Sequence, residues 1–184
     1  MNSFKADIED IRRSARTKLE EGPVTSQYKA DRGKVVDVLN DVLATETVCA
    51  LRYKSHYFMA QGIHSNGVAN EFLAHAREEE AHADMVAKRI TELGGKPNLD
   101  PEGMRTRSHA EYKAPDKLED MIKEDLIAER IAISTYSEIV RWLGNDDPTT
   151  RRMIEEILAK EEEHADDLAK LMVRIGGKPS GNGK

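Results

Sequence analysis

The 184-residue chain has one cysteine, Cys49. A lone thiol excludes an internal disulfide and any four-cysteine metal knuckle. An excess of positive charge is also missing. Lys and Arg number 28 against 34 Asp and Glu, for a formal net charge of −6 and a pI near 5.6, which argues against a chain that coats nucleic acid by charge alone. No segment approaches the roughly 18 consecutive apolar residues of a membrane span, and Met1 to Asp10 carries charges throughout. The expectation is a soluble cytoplasmic protein without membrane contact. What the chain does hold is 39% hydrophobic and 34% charged residues, enough for one domain with a sizeable core and best accommodated by long helices with narrow apolar stripes.

The second half of the chain repeats the first. Glu79-x-x-His82 and Glu161-x-x-His164 lie 82 residues apart. Each His begins a His-Ala-Asp tripeptide (82 to 84 and 164 to 166), followed at the same offset by Ala-Lys (87 to 88 and 169 to 170) and Gly-Gly-Lys-Pro (94 to 97 and 176 to 179). Upstream of each pair, by about 32 residues, stands a single glutamate with a tyrosine seven residues after it: Glu46 with Tyr53, and Glu129 with Tyr136.

Apolar residues at steps of three and four predict four long helices. The first, about Lys34 to Gln61, has Val35, Leu39, Val42, Glu46, Cys49, Tyr53, His56 and Ala60 on one stripe. After a turn around Gly62 to Gly67, a second helix carries Phe72, His75, Glu79, His82, Val86, Ile90 and Leu93, and is closed by Gly94-Gly95 and Pro97. Residues 94 to 115 make a long connection with room for a small helix. The third helix, about Asp116 to Leu143, aligns Leu118, Ile122, Asp125, Glu129, Ala132, Tyr136, Ile139 and Leu143. Beyond a Gly144 to Pro148 turn, the fourth aligns Ile154, Ile157, Glu161, His164, Leu168, Leu171 and Ile175. Short, long and short connections predict an all-α four-helix bundle with one long crossover. Ahead of it, Phe4, Ile8, Ile11, Ala15 and Leu19 predict one extra amphipathic helix, separated by Gly22-Pro23. The expected organisation is an extension over 1–30, the bundle over 31–177 and a flexible tail over 178–184 with no fifth helix.

Four glutamates on bundle-facing stripes would each cost several kcal/mol in an apolar interior unless paired or bound to a cation. Residues three apart on a helix are neighbours, so each Glu-x-x-His can offer an oxygen and a nitrogen to one ion. Mixed carboxylate and imidazole donors without thiolate suit Fe or Mn, and Zn can occupy such sites too. One such pair is common on exposed helices. Two at equivalent places, with inward-facing glutamates on the partner helices, point to a two-metal site.

At these residues, over about 34 to 175, the chain resembles the ferritin-like superfamily, and within it bacterioferritin and Dps-like proteins with a bacterioferritin-type ferroxidase centre. The resemblance implies that Glu46, Glu79 and His82 serve one iron and Glu129, Glu161 and His164 the other, with Glu79 and Glu161 bridging. Tyr53 matches the tyrosine two turns after the first ligand. The implied function is oxidation of Fe(II) by hydrogen peroxide or dioxygen and storage of Fe(III) inside a hollow homo-oligomeric shell, protecting against oxidative stress. In the position of bacterioferritin's haem-binding methionine stands Glu80, so no haem is expected. With no fifth helix after Ile175, a dodecamer is expected ahead of a 24-mer. The Dps-type site between subunits needs histidine and acidic partners on the first two helices, and His56 lacks them.

Other readings use the same residues. A di-iron oxygenase needs an apolar substrate pocket that nothing in the sequence marks. A rubrerythrin-like peroxidase would need more cysteine for its electron-transfer iron, and a manganese catalase could share the ligands. A DNA-associating shell protein is weakly supported, because five basic residues among 1 to 21 face five acidic ones. Tyr136 reads as a core aromatic with a bonded hydroxyl, and Tyr53 either so or as part of the site. Cys49 reads as a small core residue. Asp125 is a candidate partner for a ligand imidazole. His75 is a supporting group or a core histidine, His64 and His109 are loop residues, and the runs 78 to 80 and 161 to 163 each supply one ligand with solvated neighbours.

Overall fold

Each long helix has an identifiable start or stop. In the computed structural model, which describes residues 6–60 and 65–176, the Asp31 carboxylate accepts from Lys34 N (3.3 Å) and opens α2, Arg32–Met59, once α1, Ile8–Ser14, has passed. Helix α3, Ser65–Glu92, closes in a Schellman arrangement: Gly95 N donates to Ile90 O and Gly94 N to Thr91 O, both at 2.9 Å, with Gly94 at φ 75°. Gly95 is needed for a second reason, because a Cβ there would stand 2.6 Å from Val36 Cγ1 on α2. A one-turn helix α4, Met104–Arg107, lies in the crossover. Helix α5, Leu118–Leu143, ends at Gly144 with φ 50°. Helix α6, Pro148–Gly176, starts with Pro in its first turn and Asp147 accepting from Thr150 N at 2.9 Å.

Among the described residues all regular elements are helices, and α2 pairs with α3 and α5 with α6. Two apolar clusters fill the bundle at different levels. On α2 the first ends at Leu43 and the second begins at Tyr53; on α3 the second ends at Ala76 and the first resumes at Val86. On α5 the corresponding gap runs from Ile122 to Ala132, and on α6 from Ile157 to Leu168. Glu46, Glu79 with His82, Glu129, and Glu161 with His164 fall in those gaps, so a charged layer is held between two greasy ones.

The crossover seals the α2–α5 side. Met104 packs on Ala44 and Val48, and Ala110 on Cys49 and Ala128. Arg52 Nη1 donates to Glu111 O (3.1 Å), His56 Nε2 meets Lys113 O (3.1 Å), and His109 N donates to Thr45 Oγ1 (2.9 Å).

The structure departs from the sequence reading at two places. Gly67 belongs to α3 rather than to the preceding turn, while Gly62 and His64 lie outside the described residues. The extension is not one helix through Leu19: α1 stops at Ser14, where Ser14 Oγ bonds Ile11 O and Thr17 Oγ1 bonds Ser14 O, and Leu19 sits in a 3-10 turn, Leu19–Glu21. Hydroxyl side chains that satisfy nearby carbonyls compete with helix propagation in this way. Phe4, the second Gly-Gly-Lys-Pro after Gly176 and the expected tail without a fifth helix lie outside the described residues. No described helix is long and apolar enough to cross a membrane.

Candidate metal centre

The six expected ligands come together. Glu46, Glu79, Glu129 and Glu161 are each 1% exposed, His164 2% and His82 6%, so water does not solvate their charges. His82 Nδ1 stands 3.1 Å from Glu46 Oε2, 3.2 Å from Glu161 Oε1 and 3.7 Å from Glu79 Oε2. His164 Nδ1 stands 3.3 Å from Glu79 Oε1 and 3.9 Å from Glu129 Oε1. Ligand atoms of Glu46, Glu79, His82 and Glu161 all lie within 4.8 Å of one another, and so do those of Glu79, Glu129, Glu161 and His164. Glu79 and Glu161 belong to both sets. That sharing is the geometry two adjacent ions with two bridging carboxylates require.

Whether a cation suits these residues is answered by their unused atoms. Both oxygens of Glu79, Oε2 of Glu129, Oε1 of Glu161 and Nδ1 of His164 are buried without a hydrogen-bond partner. Buried polar atoms left unmatched cost about 1–3 kcal/mol each, more when charged. Here they converge on one small volume, and a pair of divalent cations would satisfy them together. The residues fit.

Without cations the layer is a proton-sharing network. Burial, reinforced by the Glu79 charge, pushes the Glu46 carboxyl up to about 8. Burial, again with Glu79, also raises Glu129 and Glu161. Burial opposes ionisation of Glu79 as well, but the adjacent His164 and His82 imidazoles outweigh it and hold that carboxyl well below the usual range. The imidazoles answer in kind. Burial disfavours their cations, yet Glu46 and Glu79 bring His82 up to about 10, and Glu79 and Glu129 bring His164 up to about 9.

Two tyrosines hold the terminal carboxylates, each from the other half of the repeat. Tyr53 donates to Glu129 Oε1, and Tyr136 donates to Glu46 Oε1. Tyr136 is therefore more than a core aromatic: its bonded hydroxyl serves the site as Tyr53 does. Burial raises both phenols well above their ordinary value, so they stay protonated donors.

Asp125 does not partner a ligand imidazole. It receives Arg52 Nε at 2.7 Å and lies 2.8 Å from His56 Nδ1, all three side chains fully buried. Arg52, on the flank of the α2 stripe, has no signal in the apolar periodicity, and its charge recruits Asp125. The carboxylate that meets His164 is Glu78, whose Oε2 is 2.6 Å from His164 Nε2. Glu78 is half-exposed but is not merely a solvated neighbour of Glu79, and only the approach of α3 to α6 reveals the contact. His75 is buried and stacks on His164, with ring centroids 4.1 Å apart. His109 lies in the crossover with Nδ1 3.0 Å from Thr45 Oγ1, and Cys49 is a buried thiol.

The ferritin-like domain profile matches residues 36–177. The chain belongs to the ferritin-like family. Among ferritin-like relatives it is 27% identical to the bacterioferritin of Desulfovibrio desulfuricans over 134 residues, 72% of this chain and 71% of that one. It is 30% identical to the DNA protection during starvation protein of Pyrococcus furiosus over 156 residues, 83% of this chain and 82% of that one. The dodecameric thioferritin of Bacteroides fragilis, a bacterioferritin-related protein, superimposes with a TM-score of 0.77 at 33% identity, covering 80% of this chain and 89% of that one. The all-α ferritin-like bundle with one long crossover is thus the fold of this chain.

Proposed function

We propose that this protein is a ferroxidase that stores iron: it oxidises Fe(II) with hydrogen peroxide or dioxygen at a site within one chain and retains Fe(III) in a hollow homo-oligomeric shell. The observation that carries this reading is the pair of four-residue ligand sets sharing Glu79 and Glu161. Glu46, Glu79 and His82 would hold one iron, and Glu129, Glu161 and His164 the other, with Mn or Zn as possible substitutes. Each Fe(II) gives one electron, so two of them reduce one hydrogen peroxide to two hydroxides.

The protein's own contribution is placement. Tyr136 and Tyr53 each tie down one oxygen of the terminal carboxylates Glu46 and Glu129. Glu78 fixes the ring of His164, leaving Nδ1 aimed inward. The apolar layers above and below exclude water, so charge on the bridging carboxylates is felt at full strength.

A shell is supported by the dodecameric relative, and protection from oxidative stress by the chemistry of removing Fe(II) and peroxide together. Glu80 pairs with Lys54 at the half-exposed position where haem would need a thioether, which supports a haem-free protein. The name of the Pyrococcus relative keeps DNA association in view, against the balanced charges of the extension.

Anaerobic metal-free protein mixed with two Fe(II) per chain, then given peroxide or air, should develop Fe(III) absorbance in a fast phase. Glu79→Ala or Glu161→Ala should remove that phase, since loss of a bridge disturbs both ions. An unchanged fast phase in both variants would falsify the ligand assignment.

A further inference from the structure

Next to the metal layer, between α2 and α5, lies a charged cluster that the two ligand sets do not use. Arg52, His56 and Asp125 are fully buried. Arg52 Nε donates to Asp125 Oδ1 at 2.7 Å, and His56 Nδ1 stands 2.8 Å from Asp125 Oδ2. Their remaining donors turn to the crossover, Arg52 Nη1 to Glu111 O and His56 Nε2 to Lys113 O, both at 3.1 Å. Buried ion pairs add little to stability, and well-packed apolar residues in their place are often neutral or stabilising. The repeat supplies that comparison within one molecule. At the offset that carries Glu46 to Glu129 and Tyr53 to Tyr136, the counterparts of Arg52, His56 and Asp125 are Thr135, Ile139 and Val42. Val42 and Ile139 are buried in an apolar cluster, and Thr135 Oγ1 donates to Ile131 O of its own helix. The same two helices thus meet through apolar side chains at one end of the layer and through an ionic cluster at the other.

We propose that Arg52 is a positioning residue for the metal pair: through Asp125, which His56 holds from its other oxygen, it fixes the Glu129 carboxylate. Asp125 lies one helical turn before Glu129, so the two carboxylates share a face of α5. Arg52 and Tyr53 are neighbours on α2, and each takes one of them, Arg52 donating to Asp125 and Tyr53 to Glu129. Two grips one turn apart set both the rotation of α5 and its height against α2, which a single hydrogen bond does not. At the other end Tyr136 donates to Glu46, but Thr135 beside it spends its one side-chain donor on its own helix, and Val42 has no acceptor to offer. Glu46 is therefore gripped once from α5. The guanidinium suits the task, since it is always charged and keeps donors spare for the crossover. Partners that orient a ligand from behind are worth about 10–100-fold in metal affinity. The position built on Glu129 and His164 accordingly depends on the cluster, and the position built on Glu46 and His82 does not.

This role rests on the two-metal reading, and metal binding tests it without any oxidation. The metal-free full chain, titrated with Co(II), whose visible bands report ligand geometry, should take up two ions. Arg52→Met with His56→Leu and Asp125→Val makes the ionic end apolar. In that variant one of the two Co(II) should bind about 10–100-fold more weakly with altered bands, and it should be the ion that Glu129→Ala removes. Should the triple variant not fold, Asp125→Asn, which keeps the shape of the side chain, carries the same test. Val42→Ala controls for loosened packing: it should lower the melting temperature of the metal-free protein and leave both affinities and both spectra as in the wild type. Two unchanged Co(II) sites in the cluster variants overturn the proposal. So does equal weakening of both sites, and so does the same selective loss in Val42→Ala, which would reduce the cluster to packing. A wild-type chain that takes up no pair of Co(II) would overturn the two-metal reading itself, and this role with it.

Discussion

Four carboxyls and two imidazoles packed into one dry layer cannot all take the charge they carry in water, so the metal-free protein must hold extra protons. His82 and His164, brought up to about 10 and about 9, and Glu46, pushed up to about 8, are protonated at neutral pH. A cation needs the same atoms bare. Anaerobic titration with Zn(II) near pH 7 should therefore release protons, and the release should shrink as the pH is raised through about 8 and about 9, where Glu46 and His164 give up theirs first. Calorimetry in two buffers of different ionisation enthalpy reads this directly; identical heats in both would count against the shared-proton layer. The six clustered side chains were legible in the sequence because a costly residue type recurred at matching places in both halves. Glu78 was not, since it sits off the apolar stripe and meets His164 only across the α3–α6 contact. Asp125 lay on the stripe and looked available, but Arg52 and His56 occupy one of its oxygens each.

The helices were legible from spacing, and two of their ends from Gly94 and Gly144, because breakers act locally. The α1 segment misled for the opposite reason: with no partner to bury Ile8 and Ile11, local hydroxyl bonds decided where it stopped. What ties the extension to the bundle is a polar knot at the start of α6. Asp147 caps Thr150 N, receives Arg89 Nη2 at 3.1 Å and accepts from Tyr28 Oη at 2.9 Å. Burial opposes its charge, but the bonds from Thr150 and Tyr28 and the nearby Arg89 hold the Asp147 carboxyl below its ordinary value. A depressed carboxyl contributes stability above its unfolded pKa of about 4 and loses it as pH falls through the folded value. Asp147→Asn should then destabilise the metal-free protein by about 1–3 kcal/mol at neutral pH, by weakening its charged hydrogen bonds and leaving Arg89 with Glu92 and Thr150 alone, and the two proteins should converge in acid. Thermal unfolding across pH checks this; a constant gap at every pH would remove the charge from the explanation.

An iron store needs a closed cavity, and a single bundle encloses only its own core, so function depends on surfaces that one chain leaves uncovered. Leu51 and Phe58, seven residues apart on α2, are 52% and 78% exposed, and Trp142 on α5 is 50% exposed. Large apolar side chains stranded on a charged surface mark contacts with other chains, and the spacing puts Leu51 and Phe58 on one stripe. Self-association through that stripe would bury it. Native mass measurement should find a particle of about 250 kDa, twelve chains of 20.7 kDa each, because closed point-group assemblies are the usual outcome for identical subunits. Leu51→Glu with Phe58→Glu should break the particle into smaller species that keep their helix content and their fast Fe(II) oxidation, since the ligands come from within one chain, but that lose the capacity to hold Fe(III) in solution. A particle of twenty-four chains would redirect the assembly towards bacterioferritin, and a stable wild-type dimer would mean that the two-metal site serves an oxidoreductase that stores nothing.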